Sequence, residues 1–256
     1  LDKVKVQCDY LPLINFAMQQ NGASIIHQIS IENTTHAPLK DVQVQITTEP
    51  AFGNSVPTVI EAIPANDRVC LQTFNLTLST NYFTQLTERL SGSLKVEITS
   101  ETKAIFSQTY PIDILAYDQW GGLNVVPEML AAFITPNHAV ISPVIKRAAT
   151  ILKQWTGNPS LDEYQSRNPD RVRKQMAAVY TAITEQQIIY STIPASFEEY
   201  GQRIRLTDSV LAQKLGTCLD MALLYASCLE AIGLNALLII ARGHAFAGAW
   251  LVPETF

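Results

Sequence analysis

A chain of 256 residues, 47% of them apolar, has enough material for one large core or two modest ones. No apolar run approaches the roughly 20 residues of a membrane-spanning helix. A net charge of −5 gives no electrostatic reason for this segment to bind nucleic acid, whose phosphates call for excess Lys and Arg.

In chain order, the first half reads as β structure. Alternating apolar and polar residues at Val4–Cys8, Ile29–Ile31, Val42–Ile46 and Leu94–Ile98 follow the two-residue period of half-buried strands. Further runs at Ile25–Ile31, Leu71–Leu78 and Ile105–Leu115 bring the expectation to about seven strands. Turn residues separate them at Asn33-Thr34, Pro50, Pro64–Asp67 and Ser91-Gly92. Seven short strands at such spacing predict an all-β, immunoglobulin-like sandwich over residues 1–118.

From Leu123 the period turns helical, and helices are expected near Pro127–Phe133, Ala139–Trp155 and Asp170–Gln187. Arg167, Arg171, Arg173 and Lys174 read as a solvated helix face. Trp120, Trp155 and Trp250 read as packing residues, with Trp250 also able to wall a cleft. The four cysteines show no metal-ligand spacing, and no cofactor is implied. Cys218 and Cys228 stand about 15 Å apart on one helix, too far to bridge. Cys8 and Cys70 fall in strand-like runs and are expected to be buried free thiols, which points to a reducing, cytoplasmic setting.

The chemistry concentrates near the end of the chain. Thr217 followed by Asp220 has the form of a capping box, which makes Cys218 the first residue of a helix running to about Ile232 and stopping at Gly233. A helix N-terminus beside an imidazole is where a thiol becomes a useful nucleophile. Gly216, just before, is expected to let the chain turn sharply and a substrate backbone approach. An apolar strand, Leu234–Ala241, and a tight Arg242-Gly243 turn then lead to a second strand that opens on His244 and carries Phe246 and Trp250 on the same face. Gln202, upstream, is a candidate oxyanion donor together with the Cys218 backbone N–H. Asp220 is expected to serve the cap and the helix dipole.

The string Gly216-Thr217-Cys218-Leu219-Asp220-Met221, the apolar strand and Gly243-His244-Ala245-Phe246 together resemble the core of the transglutaminase-like superfamily. Tyr190, Pro194 and Tyr200–Arg205, leading to a short helix at Ser209–Leu215, fit it too. The resemblance covers residues 119–256 and implies an α+β, papain-like domain with a Cys-His-acid triad, in which Cys218 is the nucleophile and His244 the base. It implies acyl transfer or amide hydrolysis on a peptide or protein. The third acid of that family follows the histidine strand. Glu254 is the one acid after His244, so the resemblance puts the orienting acid beyond Phe256, in a domain truncated at its C-terminus.

Over its whole length the sequence is similar to the N-terminal region of large bacterial helicase-related proteins. The residues behind this are Leu13–Gly22, Ala116–Gly122, Tyr164-Gln165-Ser166 and Gly201–Arg205. There a β-sandwich and a transglutaminase-like segment precede a superfamily 1 helicase and a nuclease-like part, which implies those parts as partners. Two functions stand open: a cysteine-dependent amidase or acyltransferase, and a non-catalytic peptide- or protein-binding module of a helicase-nuclease in phage defence.

Overall fold

Side-chain alternation organises the first half. Strand β4 (Leu39–Glu49) buries Leu39, Val42, Val44, Ile46 and Thr48, while Lys40, Gln43, Thr47 and Glu49 face outward. β9 (Leu90–Ser100) and β10 (Lys103–Ile114) repeat the pattern with Leu94, Val96 and Ile98, and with Tyr110, Ile112 and Ile114. Register brings these faces together: Val44 lies opposite Ile98, Ile46 opposite Val96, and Leu94 opposite Tyr110. Gly92 is required where β9 crosses the end of β4. A Cβ there would stand 2.8 Å from the Glu49 carbonyl oxygen and 2.8 Å from Ile114 Cδ1.

This computed structural model describes residues 3–192 and 201–253, so Pro194, Tyr200 and Glu254 lie outside the described residues. The chain divides into two units, Leu1–Val126 and Pro127–Phe256. The junction expected after Asp118 falls inside the first.

In the first unit, β2 (Leu13–Ile14), β10, β9, β4 and β6 (Thr58–Ile63) form a five-stranded sheet in that order, antiparallel except for β2 on β10. β1 (Val4–Tyr10), β3 (Ile26–Asn33) and β7 (Arg68–Leu71) form a three-stranded antiparallel sheet. β5 (Gly53–Val56) pairs with β8 (Asn75–Leu78). Two short helices, α1 (Phe16–Gln20) and α2 (Thr80–Gln85), are capped by Asn15 and Ser79. An extended segment, β11 (Gln119–Trp120), buries Trp120 completely.

Several expectations are corrected here. The single run Leu71–Leu78 is the end of β7 and all of β8, which pair with different strands. Cys70 is exposed and Cys8 only half-buried. Burial, then the Asp9 carboxylate, pushes the Cys8 thiol up to about 11.

In the second unit a 3₁₀ turn (Pro127–Phe133) precedes α3 (Ile141–Thr156) and α4 (Pro169–Thr184). α3 buries Ile141, Val144, Ala148, Ile151 and Leu152, and α4 buries Val172, Gln175, Ala178, Val179, Ala182 and Ile183. Both stripes have the spacing of one helix face. They pack with α6 (Cys218–Ala231) in one core. Trp155 is half exposed at the end of α3, outside that core.

Arg171 belongs to no solvated face. It pairs with Asp162 at 3.1 Å and donates to Thr156 Oγ1 and to the carbonyl of Ser160, gathering the α3–α4 connection. Loop carbonyls need donors, and a guanidinium carries five. Arg173, by contrast, is exposed and paired with Asp170 one turn away. Among the described residues, no helix is long and apolar enough to cross a membrane.

Candidate active site

The N-terminus of α6 is built by reciprocal hydrogen bonds. Thr217 Oγ1 accepts from the Asp220 backbone N–H at 3.2 Å, and the Asp220 carboxylate accepts from the Thr217 N–H at 2.9 Å. Asp220 is fully buried and also receives the Arg205 backbone N–H at 2.9 Å and the Arg205 guanidinium at 3.3 Å. One carboxylate thus fixes the first turn and the segment before α5 (Thr207–Gln213) together. Cys218 is the first helical residue, where backbone N–H groups are unpaired within the helix and favour negative charge.

The other end of α6 closes in a left-handed cap. Leu234 N–H reaches back to the Leu229 carbonyl at 3.0 Å across Gly233, at φ +76°. The Glu230 carboxylate then accepts from the Ala236 N–H at 2.7 Å and starts β15 (Ala236–Ala241). β15 and β16 (His244–Ala249) form a hairpin with Ala241 opposite His244, turning through Gly243 at φ +70°.

Simple lengths explain why the chain returns to the Cys218 end of α6 at His244. Fourteen helical residues rise about 21 Å. Six strand residues span about 20 Å in the opposite sense. Ala245 is buried, whereas His244 and Phe246 are exposed with their rings stacked, 6.4 Å apart and 28° from parallel.

Cys218 and His244 line one cleft of about 360 Å³. Tyr190 joins them. It ends the two-residue strand β12 (Ile189–Tyr190), which runs parallel to β14 (Leu215–Gly216) and places Tyr190 opposite Gly216. Its phenol is raised above its ordinary value by desolvation and, next, by its hydrogen bond with the Cys218 side chain and the charge there. Sharing the cleft with the sulfur, this phenol is a candidate donor to it. Tyr190→Phe is therefore expected to slow alkylation of Cys218 at pH 6 by roughly tenfold, the weight of one hydrogen bond to a charged group. Rates measured on each thiol by mass spectrometry check this.

The remaining candidates lie outside the lining of this cleft. Gln202, in the extended segment β13 (Gln202–Arg203), donates its side-chain amide to Thr217 Oγ1 at 3.3 Å, next to the helix tip. Gly216 has no left-handed backbone. A Cβ on it would meet Met221 Sδ at 3.3 Å, so its role is close packing and not a sharp turn. Trp250 stands at the base of the hairpin, its N–H on the Asn235 carbonyl and its own carbonyl accepting from the Tyr164 hydroxyl at 3.0 Å. Cys228 is buried in the core, which pushes its thiol up to about 12.

Among the described residues no carboxylate lines the cleft, and no group of three or more His, Cys, Asp or Glu could hold a metal ion. The sequence singled out Tyr190 only through the resemblance and gave it no chemical role, because its place beside Cys218 comes from a two-residue strand pairing between positions 26 apart that leaves no local pattern.

No family model matches the chain, and no curated protein matches it. Among solved structures, the crystal structure of a Salmonella alpha-2-macroglobulin mutant aligns at 12% identity with a TM-score of 0.29, over 90% of this chain and 16% of that one. A likeness of that degree carries no argument about fold or function.

Proposed function

We propose that the second unit is a cysteine-dependent amide hydrolase or acyltransferase of the transglutaminase-like, papain-like class, and that the first is an immunoglobulin-like sandwich serving as a docking or spacer module. One observation carries this reading: a thiol on the first residue of a buried helix shares a cleft with an imidazole from the adjoining hairpin. Cys218 attacks the carbonyl carbon of an amide, its proton passes to His244, and His244 returns a proton to the leaving amine. The backbone N–H of Cys218 stabilises the developing oxyanion, and Gln202 is the candidate second donor. Water completes hydrolysis of the thioester, and an amine in its place would complete transfer.

The exposed rings at the rim also fit a second reading, in which the cleft holds a peptide without chemistry as part of a larger helicase-nuclease. Thiol kinetics separate the two. With iodoacetamide at pH 6, Cys218 is expected to alkylate at least about tenfold faster than Cys70, which is exposed and serves as the internal reference. Cys8 and Cys228, with raised values, should react more slowly still. Equal rates at Cys218 and Cys70 would remove the catalytic reading and leave the binding module.

A further inference from the structure

The walls of the cleft show what it is built to receive. Apart from Cys218 and His244, its lining is Tyr, Ile, Met, Ala and Phe, with no Asp, Glu, Lys or Arg among the described residues. Tyr225 is held rigidly, since its hydroxyl donates to the Met176 carbonyl at 3.0 Å and Tyr180 packs edge-on against its ring at 6.1 Å. Phe246 stacks with the imidazole at 6.4 Å. Yet Tyr180, Tyr190 and Phe246 remain 60%, 53% and 48% exposed, large rings left in water around a nucleophile. Aromatic surface grouped in this way marks a binding site.

Resting on the catalytic reading above, we propose that the substrate is an amide or peptide whose acyl part carries a bulky, uncharged apolar or aromatic side chain, seated against Tyr180, Met221, Tyr225 and Phe246. Size agrees. A cavity of about 150 Å³ takes benzene, and 360 Å³ holds a ring of that kind together with the amide that bears it. Charge agrees as well. An acidic or basic side chain seated against these rings would give up hydration and meet no Asp, Glu, Lys or Arg of the described lining. An apolar one releases water from both surfaces.

The test uses the whole chain and two affinity labels, the chloromethyl ketones of N-acetyl-phenylalanine and N-acetyl-aspartate. In each, the Cys218 sulfur forms a C–S bond to the methylene carbon, the C–Cl bond breaks, chloride departs and the thiol proton goes to His244. Rates are divided by those of free N-acetylcysteine with the same reagent, and by the iodoacetamide rate of the same protein sample. The phenylalanyl label is expected to win by at least about tenfold, the scale on which hydrophobic pockets discriminate. Tyr180→Ala, at an exposed position, should narrow that ratio severalfold.

A corrected ratio near one, with Cys218 still fast toward iodoacetamide, overturns the specificity and leaves the catalytic reading standing. Slow iodoacetamide chemistry at Cys218 overturns both.

Discussion

Asp220→Ala is expected to lower the stability of the second unit by about 3 kcal/mol, near the range for breaking a buried ion pair from one side. The carboxylate is the common acceptor for the Thr217 N–H, the Arg205 N–H and the Arg205 guanidinium. Removing it leaves two backbone donors without that acceptor and a half-buried cation without its partner. In a unit of this size the change corresponds to a fall in Tm of about 10 °C by calorimetry. Arg205→Ala should cost less, because the carboxylate then keeps both backbone N–H groups and the lost guanidinium is partly solvated. A fall of less than about 3 °C for Asp220→Ala would show that the helix tip is held by other means. The same variant should also slow Cys218 alkylation, since it loosens the turn that presents the sulfur.

Leu224→Ala is the second large effect. Leu224 is fully buried in the core shared by α3, α4 and α6. Truncation removes three carbons and leaves a void that close-packed neighbours fill only partly, at a cost of about 3 kcal/mol. Urea denaturation should show the midpoint falling with little change in slope. Cys228→Ala, one turn further along the same helix, removes a single sulfur and should cost about 1 kcal/mol. Equal effects at the two positions would contradict the packing described.

The parts of this fold legible in the sequence are those decided within a few residues. The Thr217–Asp220 box, the stop at Gly233 and the turn at Gly243 each rest on contacts across fewer than seven positions, and the chain carries their signatures openly. The spacing of Cys218 and His244 also carried real information, because helix and strand lengths follow from residue counts. Long-range pairings were hidden. The order of the five-stranded sheet depends on which strands meet across dozens of residues, and β5 and β6 flank Pro57 with mixed side chains that blur alternation. α1 and α2, at five and six residues, are too short for a helical period to register.

Charge was the least readable signal. Arg171 and Arg173 differ by two positions, yet one is enclosed by loop carbonyls and the other lies in water. Asp220 showed its capping role, but its tie to Arg205, 15 residues upstream, is tertiary. The aromatic lining of the cleft was divided among α4, α6, β12 and β16, so that no one segment displayed it.

The hydroxyl of Tyr164 binds the Asn235 N–H and the Trp250 carbonyl at once, fastening both legs of the β15–β16 ribbon at a single oxygen. The ribbon also packs along α6, with Ala245 buried beside the turn, so it is held at its root and along one side. One phenol oxygen thus holds both strands at the end of the ribbon opposite the turn that carries the imidazole.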